Sequence, residues 1–122
     1  MSFEVFNAVM ADDINKVYEL VLNEELDISN SIKFASGLGK YEILKILIEC
    51  RGYEAEDKVI VIALAEAAKN NHKECVEYIM DNYKTVDISK ALEVSAPECI
   101  QIMTSKHDPF GYSKPDQKFF KF

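Results

Sequence analysis

The side chains that could do chemistry are three cysteines, Cys50, Cys75 and Cys99, two histidines, His72 and His107, and clustered acids. Thiols and imidazoles together would suit zinc, which needs its ligands at characteristic short spacings. No CxxC occurs, and no other ligand spacing supports such a site. An odd cysteine count without that motif points instead to free thiols in a reducing compartment. The acids fall at Asp12–Asp13, Glu24–Glu25, Glu54, Glu56 and Asp57, and nothing singles out a catalytic pair among them. Acids scattered over helical surfaces form a solvated face. His107 has no evident Cys or Ser partner. GxSxG, HExxH, a phosphate-cradling glycine loop and a dinucleotide-binding fingerprint are all missing from the sequence. We therefore expect no catalytic, cofactor-binding or metal-binding residue, and no enzyme.

The elements that carry these side chains repeat. At 122 residues, 48% hydrophobic and 29% charged, the chain has the make-up of one soluble domain with a modest core. No apolar run reaches the length of a membrane span. The opening MSFEVFNAVMADD has no basic leader, so no secretory signal and a cytoplasmic location are expected. Four stretches then share one pattern. A first helix carries an aliphatic residue and, three later, a small one: Val5/Ala8, Ile32/Ala35, Leu64/Ala67 and Leu92/Ser95. That spacing sets both on one helix face, and the small residue admits a close neighbour.

A polar break follows: MADD, GLGK, KNNH and, in the last unit, only Ala96–Pro97. Gly37 and Gly39 can take the left-handed backbone that ends a helix, and Asn70 and Asn71 tolerate it. The second helix carries the stripe of a half-buried helix: Val17/Leu20/Val21, Leu44/Leu47/Ile48, Val76/Ile79/Met80 and Ile100/Met103/Thr104. LeuAspIleSer at 26–29 recurs as ValAspIleSer at 86–89, where Asp and Ser can cap the next helix. The connectors vary in length, with second helices 27 residues apart (Val17 to Leu44), then 32 (Leu44 to Val76), then 24 (Val76 to Ile100).

AAKNNHKECVEYIM resembles the helical half of an ankyrin repeat, AAxxGHxxxVxxLL. SGLGKYEILKILI resembles it too, with Gly39 in place, and AVMADDINKVYELV resembles a divergent first repeat. No unit opens with ThrProLeuHis, and two steps fall short of the roughly 33 residues of an ankyrin unit. The resemblance implies an all-α solenoid of about four stacked helix-turn-helix units over residues 1–105, with the β-hairpins reduced to loops. It makes His72 the turn histidine, which hydrogen-bonds backbone. Family members bind through a concave face formed by their first helices. Carried over by register, that face holds Phe6, Asn7, Lys33, Phe34, Glu66 and Glu93, together with Ala65 and Val94. Short, degenerate arrays of this kind resemble those of viruses and of bacteria that target host proteins.

Residues 106–122 form a tail in which helical patterning stops at Asp108–Pro109. It is aromatic and basic, with Phe110, Tyr112, Phe119, Phe120 and Phe122 among Lys114, Lys118 and Lys121. A repeat stack leaves its last apolar face open, so the tail is expected to cap the fourth unit or to dock on a partner. The net charge of −7 divides unevenly: residues 1–105 hold 19 acidic and 10 basic side chains, the remainder 2 and 4. An acidic body disfavours phosphate-backbone binding. The leading expectation is an adaptor or inhibitor that binds another protein, without nucleic acid or membrane. The alternatives are an acidic mimic of nucleic acid and a self-associating protein, dimerised through the tail.

Overall fold

A computed structural model of the chain describes residues 3–22, 28–49 and 57–108. Its elements are α1 (Phe3–Met10), α2 (Ile14–Val21), α3 (Ser29–Leu38), α4 (Tyr41–Glu49), α5 (Asp57–Lys69), α6 (Lys73–Asn82), α7 (Ser89–Val94) and α8 (Pro97–Lys106). There is no strand among the described residues. The connector 83–88 is a turn closed by the Val86 N–H on the Tyr83 carbonyl. The connectors 23–27 and 50–56, Cys50 and the tail from Pro109 onward lie outside the described residues.

The helices pack in two rows. In one, α1 lies on α3, α3 on α5 and α5 on α7; in the other, α2 lies on α4, α4 on α6 and α6 on α8. The first three pairs also pack within themselves, α1 on α2, α3 on α4 and α5 on α6. One core runs between the rows. It takes Val17 and Val21 from α2, with Leu20 of that stripe only half-buried, and the full stripes Leu44, Leu47 and Ile48 from α4 and Val76, Ile79 and Met80 from α6. Each such side chain contributes about 1.5–3 kcal/mol of burial, so the apolar stripes outweigh the weak intrinsic stability of helices only two or three turns long. In the last stripe only Met103 is fully buried; Ile100 is half-buried and Thr104 is exposed, its hydroxyl donating to the Ile100 carbonyl.

The aliphatic–small pairs of the first three units are buried: Val5/Ala8, Ile32/Ala35 and Leu64/Ala67. In the fourth, Leu92 and Ser95 are only half-buried, while Ile88 and Ala91 are buried like their second-unit counterparts Ile28 and Ser31. Among the described residues α7 has only α5 beside it in its row, so its far side lacks a covering helix. Pro97 at the first turn of α8 holds Ala96 extended. Ser95 is extended as well, so the chain passes into α8 with no left-handed residue, and the Ser95 hydroxyl donates to the Ala91 carbonyl.

The other three turns share one backbone. Asp12 (φ 57°), Gly39 (φ 74°) and Asn71 (φ 59°) each take the left-handed conformation. The next residue returns its N–H to the small residue of the unit: Asp13 to the Ala8 carbonyl (2.9 Å), Lys40 to Ala35 (2.9 Å) and His72 to Ala67 (2.8 Å). This is the Schellman closure of a helix. The same residue then accepts the first bond of the second helix, Asp13 from Val17, Lys40 from Leu44 and His72 from Val76. Of the four residues expected to be able to turn left-handed, Gly39 and Asn71 do so; Asp12 does so unforeseen. Asp13 also caps α2, its carboxylate accepting from the Lys16 N–H at 3.1 Å. At α7 the N-cap residue is Ile88, which makes no side-chain cap bond; Asp87 before it accepts from the Ser89 N–H and hydroxyl (3.0 and 2.7 Å) and is thereby held below the usual carboxylate range. Ser89 is the donor there. The equivalent Asp27 lies outside the described residues.

Candidate interaction surface

The residues expected to bind lie along the α1–α3–α5–α7 row. Phe6 on α1 stacks on Phe34 on α3, with ring centroids 4.7 Å apart and planes at 25°. Both are half-buried, so each ring uses one face on the other and leaves surface open. Asn7 and Glu93 are exposed, Lys33 and Ala65 are half-buried, and Val94 is 45% exposed. Glu66 is half-buried and lies beside the last turn of α3, where a Cβ added at Gly37 would sit 3.5 Å from its Oε2. The structure therefore brings Phe6 and Phe34 into contact and sets Glu66 against Gly37, with Asn7 at the α1 end of the row and Glu93 at the α7 end.

Successive turns are latched to one another beside this row. Asp12 faces Lys40, with the ammonium 3.9 Å from Oδ1. His72 reaches back to the preceding turn, where its Nε2–H donates to the Gly37 carbonyl at 3.1 Å and its ring covers Gly39. The Asn70 side-chain amide donates to the same Gly37 carbonyl at 3.1 Å. The Cys99 thiol donates to Asn71 Oδ1 at 3.4 Å. His72 thus bonds backbone, as expected of it, and the acceptor belongs to the neighbouring turn.

The described thiols, Cys75 and Cys99, are buried. Burial, with Glu74 adding, pushes Cys75 up to about 11, and Cys99 is raised by burial and then by Glu98. His72 is three residues from Cys75, but a thiol so raised is a poor nucleophile. Among the described residues no group of three His, Cys, Asp or Glu side chains could hold a metal ion. No helix among them is long and apolar enough to cross a membrane.

The opposite row carries a second surface, which reading the sequence did not single out. Glu42, Lys45 and Glu49 on α4, and Glu74, Glu77 and Asp81 on α6, are all exposed and occupy equivalent positions in successive units. The shared spacing of three and then four residues was the signal available. Tyr41 meets Tyr78 edge-on, with centroids 5.8 Å apart and planes at 74°, and the Tyr78 hydroxyl donates to Glu49 Oε2 at 2.7 Å. Burial, reinforced by Glu49, raises the Tyr78 phenol well above its usual value, so it stays a neutral donor. Two hollows flank Tyr41, one between α4 and α6 and one between α2 and α4, where Ile14, Tyr18 and Ile46 add apolar surface. At the α6 end the Lys106 ammonium lies 2.8 Å from Asp81 Oδ1. That hydrogen bond holds the lysine above its ordinary value, and the charge of Glu77 adds to the effect.

No protein-family model, curated protein or solved structure matches this chain.

Proposed function

We propose that the chain is a non-enzymatic protein-binding module, an ankyrin-like solenoid that acts as an adaptor or inhibitor in the cytoplasm. Its α1–α3–α5–α7 row docks a partner protein. The observation that carries this reading is the Phe6–Phe34 stack, a pair of half-open rings on a helical row with Lys33 and Asn7 adjoining. Aromatic anchors in a polar surround are the usual centre of a protein interface. The turn-to-turn latches support it further, because a surface ordered beforehand loses little entropy on binding. The repeated closure at Ala8, Ala35 and Ala67 supports the ankyrin-like assignment, since a shared helix-turn-helix backbone is what that family repeats.

The test is affinity capture from a lysate of the native host, at low and high salt, with wild type and with Phe34→Ala/Glu66→Ala. A partner retained at both salts by the wild type and lost by the variant, with its circular dichroism unchanged, supports the proposal. Equal retention by the folded variant would sink it. A second reading, an acidic decoy for a nucleic-acid-binding protein, is favoured by the carboxylates of α4 and α6. Lys45 and Lys73 interrupt them, which makes it the weaker of the two. Capture of a nucleic-acid enzyme, released at high salt, would select it.

A further inference from the structure

We propose that the basic aromatic segment 109–122 docks on its own molecule, along the acidic, tyrosine-lined trough across α2, α4 and α6. This surface is separate from the partner-binding row proposed above.

Charge complementarity carries the assignment. Five carboxylates border the two hollows, from Glu42 at one end to Asp81 at the other, against Lys45 and the Lys106 ammonium already paired with Asp81. The segment brings Lys114, Lys118 and Lys121 against Asp116 alone. The surfaces also match in kind. The trough offers tyrosine rings and the apolar edges of Ile14 and Ile46, and the segment alternates lysine with phenylalanine near its end. A lysine beside a tyrosine ring gains from the ring face as well as from the carboxylates.

The point of departure agrees. The last described residue, Asp108, is 7% exposed, and its N–H is fixed to the Lys84 carbonyl at 2.8 Å, just past the C-terminal end of α6. Two residues earlier, Lys106 already places an ammonium on Asp81, at that end of the trough. The described chain therefore ends beside the trough, with Lys106 already seated there. Its length suffices. Fourteen extended residues span at most about 46–50 Å, whereas the distance from α8 across to α2 is about 27 Å, three helix spacings of about 9 Å. A tethered segment also meets its site at an effective concentration of the order of millimolar, enough for contacts that would be weak between separate molecules.

The experiment is timed trypsin cleavage of the full chain after Lys118 and Lys121, read by mass spectrometry at about 20 mM and about 500 mM salt. The comparison is between wild type and Glu74→Gln/Glu77→Gln, which adds no cleavage site and alters only exposed positions. Glu93→Gln, on the other row, is the control. In the wild type, cleavage is slow at low salt and faster at high salt. Glu74→Gln/Glu77→Gln cleaves about five- to tenfold faster at low salt, as losing two surface ion pairs implies, and Glu93→Gln behaves as wild type. Wild-type cleavage as fast as that of the free 109–122 peptide would overturn the proposal. So would protection that Glu74→Gln/Glu77→Gln leaves intact, which would place the segment over the last unit instead. Protection that disappears on dilution, together with a dimer in sedimentation, would overturn docking in cis in favour of exchange between two copies.

Discussion

Two glycines two residues apart should respond to the same substitution with opposite signs. Gly39 holds φ at +74°, and a Cβ built there would lie 2.5 Å from His72 Nδ1 and 2.7 Å from its Cγ and Cε1. Alanine would lose about 1–2 kcal/mol to the left-handed backbone. The imidazole would also be displaced, and its bond to the Gly37 carbonyl is worth about 0.5–1.5 kcal/mol. Gly39→Ala should therefore destabilise by about 2–3 kcal/mol, a large share of the roughly 5–15 kcal/mol that holds a small domain together. Gly37 lies inside α3, and its added Cβ would meet only Glu66, at 3.5 and 3.6 Å, an ordinary contact. Gly37→Ala should be neutral or stabilise by up to about 1 kcal/mol, the helical preference of alanine over glycine. Urea unfolding followed by far-UV circular dichroism would measure both. His72→Ala completes a double-mutant cycle. Once Gly39→Ala has expelled the ring, removing it should matter little, and the two changes should fall short of additivity by about 1 kcal/mol. Gly39→Ala within about 0.5 kcal/mol of wild type, or single effects that simply add, would refute the reasoning.

Two further outcomes follow from buried groups. The Ser36 hydroxyl, like that of Ser31, is buried without a hydrogen-bond partner among the described residues. Ser36→Ala should therefore stabilise by about 1 kcal/mol, through relief of that desolvation, and a shift of the urea midpoint to lower concentration would contradict it. Cys75, raised to about 11, is only about one part in a thousand thiolate at pH 8. Alkylation there should leave Cys75 and Cys99 unmodified until denaturant is added; peptide mass mapping that finds either labelled in the native protein would show the packing to be looser than described.

The helix pairs were legible because their signal is local. A spacing of three or four residues reports one face, and Val17, Leu44 and Val76 are buried as that rule demands. The fourth unit keeps the register read for it but buries less of its pattern. Leu92/Ser95 fits the pattern as well as any pair, but α7 ends the described row with α5 as its one neighbour there, so both are only half-buried. Asp12 was missed because glycine and asparagine mark left-handed backbone more strongly than aspartate does. Contacts between units were not legible. Phe6 and Phe34 occupy non-equivalent positions of successive units, so aligning the repeats does not pair them. The same holds for His72 and Gly37. The acids of α4 and α6 do occupy equivalent positions. Their spacing was visible, but that they share one trough follows from how the even-numbered helices line up.

The latches between turns also fix the order of the units. The three turns are interchangeable in backbone, and look-alike segments in one chain invite misdocking, with one unit skipped and the next taking its place. Suppose the third turn met the first. The His72 ring would then face Asp12, whose Cβ would intrude where Gly39 leaves bare backbone within 2.5–2.7 Å of that ring. Lys40 would lose its carboxylate, and Asp12 would face imidazole in place of ammonium. Each junction thus carries its own address: a charge pair at the first, a ring on bare backbone at the second, a thiol on an amide at the third. A mispaired intermediate would satisfy the hydrophobic stripes and still fail at the turns, so this chain can repeat a shape without confusing its copies.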